Sequence, residues 1–224
     1  FSLKDENFVL NSVCWSRNVP LLNMKPEEGM EVFAQGKLTT YAKGSISNYQ
    51  LQVDQIEAQG EGALLKIFEQ RKKKLKEEGL FDEKHKKKLP FLPKKIGIIT
   101  SPTGAVIMDI VDRIKNRFST HLELFPISVQ GAKSAEEIIL GVNFFNNYSN
   151  VDLIIIARGG GGAEDFFSFN DEDVVRAVFQ SKIPIISAIG HETDFTLLDF
   201  VADVRAATPT AAAEIAVPEM RSLE

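Results

Sequence analysis

The sequence predicts an α/β fold with a parallel-sheet, doubly wound unit, preceded by remnant strands of a small antiparallel β-barrel. Three observations carry that reading. Past Pro93 the apolar runs KIGIIT, HLELFPISVQ, DLIIIA and IPIISAI alternate with stretches of helical length. That is the order right-handed crossovers impose on parallel strands covered on both faces. Before Gly62 the pattern is instead one of strand-length segments broken by glycine, as in sheets built from hairpins. Between the two lies LPFLPKK, whose Pro90 and Pro93 continue neither a helix nor a central strand.

Taken in order, the first strands are FVLNSVCW (Phe8–Trp15), MEVFAQGKLTTY (Met30–Tyr41) and ISNYQLQVDQIEA (Ile46–Ala58), separated at Gly29, Gly36 and Lys43-Gly44. From Ala63 to Glu78 the spacing of Leu64, Leu65, Phe68 and Leu75 suits an amphipathic helix, closed by Gly79. Lys95 to Thr100 is a buried strand, and the SPTGA turn leads into a helix from Ala105 to Phe118. A strand from His121 to Gln130, a helix from Ala135 to Phe145 and a strand from Asp152 to Ala157 follow. A helix from Glu172 to Phe179 and a strand from Ile183 to Ile189 complete the pattern. The divisions are 1–62 for the β part, 63–95 for a basic helix and linker, and 96–224 for the α/β part. Strand order within a sheet is not written in such a pattern.

Composition narrows the class. With 224 residues, 44% hydrophobic and 25% charged, the chain can bury a core and is not a disordered tail. Cys14 is the single cysteine, so no intrachain disulfide forms; a quiet thiol in a strand suits a reducing compartment. No apolar run approaches the ~20 residues that span a bilayer, and FSLKDENF lacks the basic and apolar regions of a signal peptide. A soluble, cytosolic (cytoplasmic) protein is expected. Because the first residue is Phe rather than Met, on what reads as a strand end, the chain is expected to be a fragment. The net charge of −5 is uneven: Lys66 to Lys95 holds twelve Lys and Arg against five acids. Such a basic stripe is compatible with a phosphate backbone, but a lysine run by itself more often marks a solvated helix face with a linker.

The chemistry concentrates after the later strands. Gly159, Gly160, Gly161 and Gly162 follow a strand, and residues without a Cβ let backbone N–H groups approach an anion. A tight strand-to-helix turn is the plain alternative. Glu164 stands where a dinucleotide fingerprint needs its third glycine, and no Lys-Ser or Lys-Thr follows to make a P-loop. Arg158, just before the glycines, is placed to clamp a phosphate, or to pair with Glu164 or Asp165. His191 and Asp194 lie three apart after the next strand; if a helix begins there they share a face, and a carboxylate beside an imidazole fixes its tautomer and suits acid–base work near neutral pH, whereas a histidine near a turn is otherwise a structural one. Asp109 falls one turn into the helix after SPTGA, where it reaches the same edge, or with Asp112 simply favours the helix N-terminus. Asp203 and Arg205, in ADVRAATPTAAAE, are assigned no chemistry. Phe166, Phe167 and Phe169 read as core rather than as base-stacking surfaces, and His85 and His121 have no partner pattern.

These motifs, TSPTGAVIMDI, ARGGGGAEDFFSFNDE and IPIISAIGHETDFTLLDFVADVRAATPTAAAE, resemble the exodeoxyribonuclease VII large-subunit family over essentially the whole chain. The resemblance implies an N-terminal OB-like fold for single strands and a central catalytic α/β domain. It also implies a C-terminal coiled coil, absent here, that binds small subunits. The implied activity is hydrolysis of single-stranded DNA from either end to 5′-phosphorylated oligonucleotides. The implied catalytic positions are Asp109, Arg158, His191 and Asp194, with Gly159 to Gly162 holding phosphate. The chain departs from the family pattern at Gly162, Phe166 and Ala207, none of them a catalytic position. No cofactor is fixed; a divalent cation such as magnesium stays open, and no Cys/His cluster suggests zinc. A non-catalytic single-strand binding module and a nucleotide-dependent α/β enzyme are the two rivals.

Overall fold

Two separate sheets carry the chain in a computed structural model that describes residues 1–5, 7–22, 25–43, 46–58, 61–131, 133–160, 163–190 and 195–219. The first contains β1 (Ser2–Lys4), β2 (Val9–Val13), β3 (Val32–Lys43) and β4 (Ile46–Ala58), in the order β1-β2-β4-β3. The long β3/β4 hairpin is antiparallel, with its register slipping at Gln35/Gly36, and β1 pairs antiparallel to β2. The β2/β4 pairing is parallel, a departure from the uniformly antiparallel expectation. Period-two alternation is the same for both pairings, so the sequence pattern does not separate them. Leu22, Val53 and Ile56 form a small core there, with Met30, Val32 and Leu51 packed around it.

The second sheet contains β5 (Lys95–Thr100), β6 (His121–Pro126), β7 (Leu153–Ala157), β8 (Ile185–Ala188) and β9 (Val204–Arg205), in the order β6-β5-β7-β8-β9, every pairing parallel. Both faces are covered, so the strands read as continuous apolar runs rather than as alternating ones. One face holds Ile96, Ile98, Leu153, Ile155 and Ile186 against α2 (Ala105–Arg117) and α6 (Pro209–Ala216). The other holds Ile99, Ile154, Ile156 and Ile185 against α3 (Ser134–Tyr148), α4 (Glu172–Gln180) and α5 (Leu197–Val201). Leu153, Ile154, Ile155 and Ile156 are all fully buried, each worth about 1.5–3 kcal/mol of transfer free energy.

Several boundaries move for local reasons. The second strand of this sheet stops at Pro126 rather than Gln130. β8 begins after Pro184, which has no N–H to give the ladder but whose carbonyl accepts from Ile154 N–H at 3.0 Å. α5 and β9, of five and two residues, have no periodic signal and escape the sequence reading. A 3₁₀ segment over Ala163–Asn170 was likewise not anticipated. Helix α1 (Glu61–Glu77) ends as expected at Gly79, whose φ of 80° is one that side-chain-bearing residues rarely adopt.

The basic stretch turns out to fasten elements together. Arg71, nearly buried, pairs with Glu27, donates to the Asn170 carbonyl at 2.6 Å and lies over the Phe167 ring. Lys86 Nζ donates to the Phe200 and Ala202 carbonyls at 3.0 and 2.7 Å. Lys87 reaches Asp203 through both its backbone N–H (2.6 Å) and its Nζ (3.1 Å). Lys74 and Lys84 pair with Glu172 and Asp82. His85 packs edge-on against Phe179. Among the described residues no helix is long and apolar enough to cross a membrane.

Candidate functional site at the sheet's carboxyl edge

In chain order the second sheet runs second, first, third, fourth, fifth. The chain reverses its winding between β5 and β7, and open α/β sheets bind ligands beyond the carboxyl ends of the strands at that switch. What emerges there is the SPTGA turn from β5 and the Arg158-Gly-Gly turn from β7. The strand order thus sets side by side two segments that are more than fifty residues apart in sequence.

Each side chain has a local reason for its place. Arg158 extends the ladder by donating its N–H to the Ala188 carbonyl at 3.1 Å. Its side chain is 2% exposed, and its guanidinium sits 4.2 Å over the Phe166 ring. The next residue backs onto α2: a Cβ at Gly159 would lie 3.1 Å from Val106 Cγ2. A side chain there would press on the Val106 methyl, which would have to give by a few tenths of an ångström, and glycine avoids that. Val106 is one turn before Asp109, which is exposed on the same helix.

The turn therefore meets the helix that carries Asp109, but the side chains diverge. Alternation sends Arg158 to the face of Ile154, Ile156 and Phe166, whereas α2 packs on the opposite face. Asp109 and Arg158 share the rim through backbone and Val106, not through contact. Gly160 is exposed; Gly161, Gly162, His191, Glu192, Thr193 and Asp194 lie outside the described residues, as do the side chains of Glu164 and Asp165. The flanks of the 191–194 segment are described: Gly190 is buried and Phe195 is half exposed.

Beneath that flank lies a polar cluster to which the sequence reading gave no role. Asp199, whose side chain is fully buried, accepts from Thr196 N–H (2.8 Å), Thr196 Oγ1 (2.9 Å) and Ser187 Oγ (2.5 Å). Arg205 Nε lies 3.9 Å from its Oδ1. The Thr196-x-x-Asp199 spacing is a capping box, the one signal in sequence that marks it. Asn170 ties the same flank to the 3₁₀ segment, its Oδ1 accepting from Leu197 N–H at 2.7 Å.

Of the three aromatics read as core, Phe169 is fully buried, while Phe166 and Phe167 face the Arg158 and Arg71 guanidiniums. Cys14 stands one residue past β2, where burial, then the nearby Asp54 charge, push its thiol above the usual range, so it stays protonated. It borders an apolar hollow in the first sheet, with Val13, Val19 and Leu22, not at this rim. No three His, Cys, Asp or Glu side chains gather as a metal centre would need among the described residues.

A small strand-rich unit joined to an open parallel α/β sheet, with a glycine turn at the switch point of that sheet, defines a two-part α/β protein whose ligand rim lies at the strand carboxyl ends. Comparison with known proteins narrows the class. Residues 80–224 match the family model described as "Exonuclease VII, large subunit", and residues 1–57 match an OB-fold nucleic acid binding domain. The exodeoxyribonuclease 7 large subunit of Mesorhizobium japonicum is 52% identical over 100% of this chain and 44% of its own length. That of Bartonella henselae is 54% identical over 100% of this chain and 48% of its own. For Parvibaculum lavamentivorans the figures are 54%, 97% and 46%. The chain belongs to the exonuclease VII large-subunit family, and it spans less than half the length of these curated relatives.

Proposed function

We propose that this chain is the hydrolytic portion, with part of the strand-capturing portion, of a cytosolic nuclease. The enzyme degrades single-stranded DNA from either end to 5′-phosphorylated oligonucleotides. Residues 1–62 contribute to strand capture, 63–95 fasten the two parts, and 96–224 carry the chemistry. Small subunits bind through a coiled coil beyond the present residues. The observation that carries this reading is the placement of the Arg158-Gly159 turn against the first turn of α2, at the topological switch of the sheet.

Hydrolysis needs a positioned phosphate, an attacking water and a proton for the departing 3′-oxygen. Arg158 and the N–H groups of Gly159 to Gly162 hold the phosphoryl oxygens. Water attacks phosphorus, the P–O3′ bond breaks, and the phosphate stays on the 5′ side. His191, oriented by Asp194, delivers a proton to the 3′-oxygen; Asp109 orients the water, whose own proton is released to solvent, from which the imidazole is re-protonated.

The test is His191→Ala in the full-length large subunit assembled with its small subunit, followed by oligonucleotide release from single-stranded DNA. A loss of ~100-fold or more, the usual size of an acid–base contribution, is expected, with oligonucleotide affinity little changed. Release within a few-fold of wild type removes His191 from the chemistry.

A further inference from the structure

Arg158 is not the only arginine on its face of the sheet. Ile156 pairs with Ser187, and Ser187 with Arg205, so Arg205 lies two strands across, ~10 Å at the usual strand spacing. Val204 and Ala206 point into the α2/α6 layer, which sends Arg205 to the same side as Arg158.

Both guanidiniums rest on a phenylalanine: Arg158 on Phe166 at 4.2 Å, Arg205 on Phe195 at 3.9 Å. The Arg205 side chain is the more open, at 19% exposure against 2% for Arg158. Its ring support, Phe195, is 49% exposed and stacks on Phe200 at 5.7 Å. Its carboxylate support is rigid. Asp199 is fixed by Thr196 and Ser187 and forms an ion pair with Arg205, its Oδ1 3.9 Å from Nε, too long for a hydrogen bond.

A guanidinium set over a ring and 3.9 Å from a buried carboxylate has already lost part of its rotamer freedom, so a ligand has less to order. Planar, preorganised arginines are the residues that recognise phosphate.

We propose that Arg205 contacts a backbone phosphate of single-stranded DNA, next along the strand to the phosphodiester held at Arg158, with Asp199 as its positioning residue. The assignment rests on the nuclease reading above for its substrate, and it adds a binding role to the motif ADVRAATPTAAAE.

The test compares wild-type full-length enzyme, with its small subunit, against Arg205→Gln, Asp199→Asn and the double variant. Oligonucleotide anisotropy across a salt series gives affinity and its salt slope; cleavage gives KM and kcat. Arg205→Gln should raise KM by ~10-fold or more, the size of a charge-assisted contact, with kcat little changed. Its salt slope should shrink by ~0.7, one phosphate on a single strand. Asp199→Asn should raise KM too, and the double variant should be no worse than Arg205→Gln, because Asp199 acts through the arginine. Should Arg205→Gln fail to fold, Phe195→Leu removes only the supporting ring and should raise KM with the salt slope retained. Wild-type KM and slope in the foldable variants overturn the proposal, as does a loss confined to kcat. Anisotropy needs no turnover, so a wild-type enzyme unable to cut DNA would sink the nuclease reading while leaving the Arg205 measurement standing.

Discussion

Replacing Asp203 by alanine should loosen the linker from the second sheet at a cost of about 3 kcal/mol. One Asp203 oxygen accepts from the backbone N–H of Lys87 at 2.6 Å, the other from the backbone N–H of Ile185 at 2.7 Å. The carboxylate is 4% exposed, so both donors lose their partner with little water to replace it. A bond to a charged acceptor contributes about 1.5–3 kcal/mol. The Lys87 Nζ contact adds little, since that side chain is 30% exposed and solvent screens it. Two such bonds sum to more than 3 kcal/mol, but partial rehydration at the Lys87 end trims the total. The assay is urea unfolding of the full-length protein, with limited trypsin digestion timed at Lys86, Lys87 and Lys88. Cleavage there should accelerate in the variant, because Lys86 loses the register that brings it to the Phe200 and Ala202 carbonyls. A stability change below ~1 kcal/mol together with wild-type trypsin resistance would refute the reasoning.

Two further outcomes follow from packing and charge. A methyl group at Gly97 would sit 2.8 Å from Phe145 Cζ, and that ring is fully buried; Gly97→Ala should cost about 1–3 kcal/mol. Phe145→Leu in the same background should recover part of it, and a neutral Gly97→Ala in chemical denaturation would contradict the packing. The Lys95 hydrogen bond, then that from Ser149, hold the Glu123 carboxyl below the ordinary carboxylate range. A folded pKa that is depressed stabilises above the unfolded value of about 4.3 and ceases to as pH falls through the folded value. Glu123→Gln should therefore be less stable than wild type at neutral pH, the gap closing in acid; a gap constant from pH 7 to pH 2 would exclude this account.

Most strands and helices were legible because burial leaves a local trace. KIGIIT and DLIIIA are apolar throughout since both faces of their strands are covered, and the glycine-rich turn declared itself by composition. The Thr196-Asp199 capping box was readable in principle, yet α5 and β9 are too short to show a period. Of the proposed catalytic set, Asp109 and Arg158 can be placed, while His191 and Asp194 lie outside the described residues.

What the sequence by itself determined was the alternation of elements and the residue types at the strand ends, because hydrophobic period and turn chemistry act over a few residues. Only the tertiary structure decided the β6-β5-β7-β8-β9 order, the parallel β2/β4 join, the opposite faces taken by Arg158 and helix α2, and the Asp199–Arg205 support. Those depend on which edges pair and which buried polar groups find each other across long stretches of chain, as Lys87 finds Asp203 over 116 residues. Free energy of that kind belongs to the packed whole, and no local window of the sequence contains it.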